Sequence, residues 1–473
     1  MNRRELLAML ASIPALTVGG PLMANTRATT TAAANKRALD DALAAIVDDP
    51  KYTLSSLSVL AMRGGRVVYE KQFGHKWIDL SGQGAHKRAD AATMYRIASI
   101  SKTITTLGCM KLVEQGVLKL DDDVQKVLRF PLRNPHFPDV PITLRQLLSH
   151  TSSLRDDGGY YWDAKSNTHL RDVFTPGGKL YGKGAMWSKR AAPGAYFQYA
   201  NLPWGVIGTV MEAATGERFD RLMKRLVLTP MKLKGGFHPA DLSKADLADV
   251  ATLYRKRSEL NGKEVWNAKG PWVPQVDDYS ASPPQPRALP DYVPGTNGTL
   301  FGPQGNCRLS AKSLGRVMSM LMNEGVIDGK RILKAETVRE MLRTQWQHNG
   351  LGGAGNSARQ GSNGDPNGES GFGGQTKLFN AWGLGVQHFL DVTQPKGGDR
   401  LVAQGGYRAI GHLGNAWGLT SAMVFNPWAR DGMVFLIGGS AFDPETYAGE
   451  YSGMYRHEEK ILDALYTRVV NPT

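Results

Sequence analysis

Ser99-Ile100-Ser101-Lys102 is the one S-x-x-K in this chain of 473 residues. Chance supplies on the order of one or two such tetrapeptides at average serine and lysine usage, so the pattern gains meaning only from its place. It stands where apolar residues begin to recur at helical spacing: Ile100, Ile104, Leu107, Met110 and Leu112, up to Gly116. Residues three apart share a helix face, which brings the Lys102 amine toward the Ser99 hydroxyl. The positive end of the helix favours an alkoxide and a nearby oxyanion, and a lysine withdrawn from water loses its proton and serves as a base. That is the chemistry of an activated serine. The same serine also suits plain helix capping, with Lys102 an ordinary surface residue.

Two more patterns carry similar alternatives. Tyr199-Ala200-Asn201 is the one Y-x-N in the chain. A phenol near an ammonium is easier to ionise and relays a proton between nucleophile and leaving group, while an asparagine amide holds Lys102 or the acyl part of a substrate. The plain alternative is a packed aromatic beside a helix cap, because Asn201 precedes the apolar run WGVIGTVMEAATG. His412-Leu413-Gly414 precedes a predicted strand, where glycine lets a substrate approach the backbone. A histidine there offers a hydrogen bond or a positive charge, or is a turn histidine beside a close-packed glycine. The other H-x-G, His348-Asn349-Gly350, lies in a Gly/Asn-rich stretch without strand context.

These residues need elements to hold them. LSVLAMRGGRVVYEKQFG reads as a hairpin about Gly64 and Gly65, preceded by a helix from about Ala38. The middle of the chain reads as mainly helical: the Ser99 helix, the run after Asn201, and FDRLMKRLVLTPM ending at Pro230. RAIGHLGNAWGLTSAMVFNP and DGMVFLIGGSAF read as antiparallel strands, and Tyr455 to Val470 as a last helix. One antiparallel sheet assembled from both chain ends, flanked by helices and carrying an inserted helical subdomain, is the architecture this order implies, an α/β (α+β) fold. Two stretches read as insertions, near 255–297 and 347–376. The aromatics between Trp266 and Tyr292 in the first are expected to wall a substrate cleft.

Composition narrows the class. Hydrophobic residues at 41% and charged ones at 21% are those of a folded globular protein, and the net charge of +14 comes without any aromatic-interleaved basic run or nucleic-acid motif. No nucleic-acid partner is expected. Residues 1–24 follow the order of an export signal, with Asn2, Arg3 and Arg4 before Leu6 and Leu7 resembling a twin-arginine signal; an ordinary Sec signal is the alternative. Proline and glycine break the apolar stretch too often for a membrane span, so an exported protein, periplasmic or secreted, without stable membrane insertion is expected. Residues 25–37 read as a flexible leader. Cys109 and Cys307 read as two buried free thiols.

The ordered set of motifs is similar to that of the β-lactamase-related serine hydrolases, which include class C β-lactamases, D-specific peptidases and carboxylesterases. MYRIASISKTITTLGCMKLVEQGVLKLDDDV resembles the family's nucleophile helix, and ITLRQLLSHTSSL its L-L-x-H-T-S-G-L segment, with Ser153 where glycine is usual. PGAYFQYANLPWGVIG resembles the stretch around the family's tyrosine, GPQGNCRLSAKSLGRVM a later segment with Ser313 in place of Asp, and GHLGNAWG the strand bearing K-T-G or H-T-G. The resemblance runs from about Ala38 to Phe442 and implies one β-lactamase/transpeptidase-like hydrolase domain over 38–472.

It further implies Ser99 as the acylated nucleophile and Lys102 with Tyr199 as the proton-transfer pair. Asn201 would position Lys102 and the substrate, and His412 would replace the third-motif lysine. Gly414 would admit the substrate, and the backbone N–H groups of Ser99 and Asn415 would form the oxyanion hole. His150 reads as structural. No metal or organic cofactor is implied, and the partner is a small-molecule ester, amide or peptide. Leu413 stands where carboxylate-binding relatives carry Thr or Ser and cannot donate that hydrogen bond. Ester hydrolysis therefore ranks first, a D-residue peptidase or amidase second and a β-lactamase third, with Arg408, four residues before His412, either restoring a charge or solvated. A non-catalytic envelope-binding protein on the same scaffold is the alternative of another class, though it would not require the Ser99, Lys102 and Tyr199 trio.

Overall fold

The computed structural model describes residues 22–163, 168–189, 191–287, 289–348, 378–394 and 397–472. Strands Ser56–Arg63 (β1) and Arg66–Trp77 (β2) form the expected hairpin, and Gly64 and Gly65 take the positive φ values, 56° and 79°, that its tight turn demands. Lys87–Arg88 (β3) continues it at one edge. From the far end of the chain come Trp346–Gln347 (β7), Ala381–Trp382 (β8), Gln387–Phe389 (β9), Ala409–Ala416 (β10), Leu419–Asn426 (β11) and Asp431–Ile437 (β12). The nine strands run β7-β8-β9-β10-β11-β12-β1-β2-β3. The closure between chain ends is the antiparallel β1–β12 ladder, from Leu57 opposite Ile437 to Met62 opposite Gly432.

Alternation along the strands separates two cores. Leu57, Val59, Ala61, Phe435 and Ile437 pack with Leu39 and Leu43 of helix Leu22–Val47 (α1) and with Ile461, Leu462 and Leu465 of helix Arg456–Leu465 (α5). Leu60, Met62, Val434 and Leu436 face the other way, onto Ile104 and Leu107 of helix Ser101–Glu114 (α2) and onto Leu314, Val317 and Met318 of helix Ala311–Met322 (α4). Helix Leu202–Thr215 (α3) packs beside α2 and ends at Gly216 with φ 68°. Ser101 to Met110 of α2 are all buried. Its threonines are satisfied inside the protein: Thr103 Oγ1 donates to Gly385 O at 2.9 Å and Thr105 Oγ1 to Pro303 O at 2.8 Å. A helix enclosed on every side is what takes a lysine out of water.

Three expectations change. α1 begins at Leu22 rather than near Ala38, so residues 25–37 are helical rather than a flexible leader; alanines and Lys36 with Arg37 favour that extension, and residues 34–38 are exposed before the buried Leu39. The stretch near 255–297 contains three strands, Leu253–Leu260 (β4), Lys263–Trp266 (β5) and Trp272–Val276 (β6). Asn261-Gly262, a strong hairpin signal, turns β4 into β5 with φ 52° and 74°. The third concerns His412, which lies inside β10 rather than before a strand. The export segment expected over 1–24 lies outside the described residues as far as 21, and the second insertion does so from 349. Among the described residues no helix is long and apolar enough to cross a membrane.

Candidate active site

The chain enters α2 through a bent backbone. Tyr95–Arg96 pairs with Arg308–Leu309, Ile97 N–H donates to Cys307 O at 2.9 Å, and Ala98 then takes φ 47° before a 3-10 turn over Ala98–Ile100. A positive φ at alanine is costly and persists only where neighbours enforce it. The enforcing neighbour is β10: a Cβ on Gly414 would lie 2.4 Å from Ser421 Oγ, 2.7 Å from Ile97 O and 3.3 Å from Ala98 Cβ. Gly414 thus lets the strand press against the turn that presents Ser99.

Ser99 makes no capping bond at the start of either helix. Its Oγ instead accepts from Lys102 Nζ at 2.9 Å, and Tyr199 shares a hydrogen bond with it. Lys102 is fully buried and also donates to Asn201 Oδ1 at 2.8 Å and to Gln304 O at 3.4 Å. Burial pushes the amine down to about 7, with the charge of Asp156 pulling the other way. Asn201, expected as a helix cap or a positioning amide, stands at the N-cap position of α3, but its side chain makes no capping bond. Its side chain bridges Lys102 to Asp156 Oδ2, 2.9 Å away, while Asp156 accepts the N–H groups of Asn201 and Leu202 at 2.8–2.9 Å. The carboxylate therefore does the capping of α3. Burial pushes the Asp156 carboxyl up, against these donors and Lys102.

Tyr199 stacks on His150, with centroids 4.5 Å apart, and on Phe379 at 4.9 Å, while Lys102 Nζ lies 4.9 Å from its ring centre. Burial raises its phenol well above the ordinary value, so the ease of ionisation expected from a neighbouring lysine is overridden by desolvation. His150 Nδ1 accepts from Ala200 N–H at 3.2 Å, which ties the histidine to the backbone beside Tyr199. Ser153, where glycine was expected, has φ 63°; it pays for that conformation with a hydrogen bond from Asn134 Nδ2 at 3.1 Å.

On the opposite wall stands β10. Its partner β9 covers only Ala409 to Gly411, leaving the edge from His412 to Ala416 without a strand on that side among the described residues. His412 is 2% exposed, and its Nδ1 lies 2.5 Å from Leu413 O. Burial and the adjacent Lys102 hold its ring neutral, with the pKa down at about 3, so of the hydrogen bond or positive charge it could offer, the charge is absent. Asn415 Nδ2 donates to Tyr455 OH at 3.0 Å, which turns its side chain toward the start of α5. Ser99, Tyr199, His412, Leu413, Gly414 and Asn415 line one narrow pocket with Phe379 and Gln387, holding about 20 Å³, the room of a single water molecule.

All seven residues singled out in the sequence therefore converge: Ser99, Lys102, Tyr199 and Asn201 in one hydrogen-bonded cluster, His412, Gly414 and Asn415 along the strand facing it. Arg408 stays outside, exposed, with Nε donating to Leu390 O at 3.3 Å, and restores no charge. Trp266 and Tyr292 do not wall the pocket either. Trp266 stacks under Arg255 and Arg257, and Tyr292 donates to Glu212 at 2.5 Å; the aromatic wall is Phe379. Asp156, Gln304 and Phe379 went unread, although Asp156 directly follows the H-T-S-S-L-R run. The two cysteines are buried free thiols pushed up to about 12. A cleft of about 650 Å³ lined by α1, β2 and β3 is far larger but shares no residue with this pocket, and its lysine, Lys71, donates to Asp40 Oδ2 at 3.0 Å rather than to a serine.

Residues 36–450 match the family model described as Beta-lactamase. The chain is 28% identical over 190 residues to Protein flp of Staphylococcus aureus strain N315, covering 39% of this chain and 35% of that protein. It is 29% identical over 177 residues to Penicillin-binding protein 4* of Bacillus subtilis strain 168, covering 37% of this chain and 36% of that protein. The matched stretch spans about a third of the length of these curated relatives. An octameric penicillin-binding protein homologue from Pyrococcus abyssi superimposes with a TM-score of 0.56 at 21% identity, over 86% of this chain and 74% of that one. The crystal structure of SurE does so with 0.54 at 18%, over 86% and 72%. At these identities the structural likeness speaks for the fold.

Proposed function

The chain belongs to the beta-lactamase family of serine hydrolases, and on that premise we propose that it hydrolyses carboxylic esters through an acyl-enzyme on Ser99. The observation that carries this is the fully buried Lys102 amine, 2.9 Å from Ser99 Oγ and brought down to about 7 by burial. In its neutral form Lys102 takes the hydroxyl proton as Ser99 Oγ bonds to the carbonyl carbon. Tyr199, held protonated by burial, is the donor that hands a proton to the departing alkoxide and takes one back from the Lys102 ammonium, which leaves that amine neutral again. Water then attacks the acyl carbon as Lys102 takes its proton; the acyl–Oγ bond breaks, Ser99 Oγ receives that proton from Lys102, and the acid leaves. The N–H groups of Ser99 and Asn415 serve the tetrahedral oxygen.

Esters rank above D-residue peptides or amides and β-lactams because Leu413 lines the pocket in place of a hydroxyl residue, His412 is neutral and Arg408 is engaged outside it with Leu390 O. The N-terminal order of basic, apolar and small residues supports export of the protein. A paired assay of wild type and Ser99→Ala on a short-chain nitrophenyl ester, a D-alanyl peptide and a chromogenic cephalosporin tests the reading. Ester cleavage that falls at least a thousandfold in the variant, with little cephalosporin turnover, is expected. Rapid cephalosporin turnover without ester cleavage would sink the ranking, and a non-catalytic binding protein would cleave none of the three.

A further inference from the structure

One polar atom in the pocket has no partner. His412 Nε2 is buried and makes no hydrogen bond, although its ring lies in the lining with Ser99 and Tyr199. The other ring nitrogen fixes what Nε2 can do. Leu413 O, 2.5 Å from Nδ1, only accepts, so Nδ1 carries the proton of the neutral ring. Nε2 then presents a lone pair. Trp382 lies edge-on to the imidazole with centroids 5.4 Å apart, and Tyr199 at 6.2 Å, so the ring is enclosed by aromatic surface.

We propose that His412 Nε2 is a specificity-setting acceptor, which takes a hydrogen bond from an N–H or O–H of the substrate and turns away a carboxylate at the same place. The proposal rests on the acyl-enzyme reading of Ser99 and adds the substrate class: uncharged esters or amides carrying a hydrogen-bond donor near the scissile carbonyl. A substrate without a donor leaves a buried acceptor dry, and a carboxylate brings its own lone pairs against it. A donor in place of a methyl group is therefore favoured by roughly ten- to a hundredfold. In the same lining Leu413 and Phe379 supply apolar side chains, while Gln387 Nε2 donates to Leu378 O at 2.8 Å and Asn415 Nδ2 to Tyr455 OH at 3.0 Å rather than to His412.

The test uses two matched trios that differ only in a terminal CO–NH2, CO–CH3 or CO–O⁻. In one the group sits on the acyl part: the 4-nitrophenyl esters of succinamate, 4-oxopentanoate and succinate. In the other it sits on the alcohol: the butanoyl esters of glycolamide, hydroxyacetone and glycolate. In wild type, kcat/KM in at least one trio is expected to run amide, then methyl ketone, then carboxylate, with about tenfold or more between first and second. His412→Phe is expected to flatten the first step, and His412→Lys to bring the carboxylate to the front. These are ratios within one protein, so partial misfolding of a variant leaves them intact. A wild-type order led by the carboxylate in both trios, or an unchanged order in His412→Phe, would overturn the proposal. Cleavage that persists in Ser99→Ala would instead overturn the reading it rests on.

Discussion

Lys102 sets the pH response of this site. Below about 7 its amine holds a proton and cannot accept one from Ser99; above that the base is free. kcat/KM is accordingly expected to rise with pH through a midpoint near 7 and then level off, measured on an ester whose own hydrolysis is subtracted. Asp156 raises that midpoint through its charge, so Asp156→Asn is expected to move the acidic limb to lower pH. The same variant weakens the hydrogen bonds to Asn201 and Leu202 N–H and is expected to lose about 1–2 kcal/mol in denaturant unfolding. An unmoved limb would mean that a different group limits the reaction. At this scale the sequence was informative about reactive residues and silent about the ones that tune them. Ser99, Lys102 and Tyr199 are legible because their chemistry needs those types, whereas Asp156 acts by being buried, which its neighbours along the chain do not reveal.

Two elements hold the reacting residues in place, the turn into α2 and strand β10, and Gly414 is where they touch. A methyl group there meets Ser421 Oγ at 2.4 Å and the backbone oxygen of Ile97 at 2.7 Å. Gly414→Ala is expected to cost about 1–3 kcal/mol in stability. The expected loss in kcat/KM is larger, on the order of a hundredfold, because the strand carrying Asn415 moves off the nucleophile. Equal losses in both measurements would argue for a packing role alone. His150 holds Tyr199 from the other side, by stacking and by its bond from Ala200 N–H. His150→Ala is expected to lower kcat roughly ten- to a hundredfold with little change in KM. Helical periodicity showed α2 and α3, but it placed Ser99 as a possible cap; the φ of 47° at Ala98, which withdraws that option, is enforced by β10 more than three hundred residues away.

The whole molecule is a sheet closed by its own ends, with β1 and β12 as the seam and α1 and α5 laid over it. Leu39 and Leu43 are fully buried there, while residues 34–38 are exposed. Arg37→Ala is therefore expected to leave the denaturant midpoint unchanged, whereas Leu43→Ala is expected to cost about 2–5 kcal/mol. The two-ended sheet was readable from the Gly64-Gly65 hairpin and the C-terminal strand texture. The β4–β6 strands were not, because proline and aromatic residues around them masked the Asn261-Gly262 turn. Everything in the site depends on that closure, since Ser99 and the strand from His412 to Asn415 come from opposite halves of the chain. The most direct test is labelling with a fluorophosphonate, followed by mass spectrometry of the digested protein. One equivalent of phosphonyl group on the peptide carrying Ser99, absent from Ser99→Ala, is the predicted result; labelling at another residue, or equal labelling of the variant, would contradict the account.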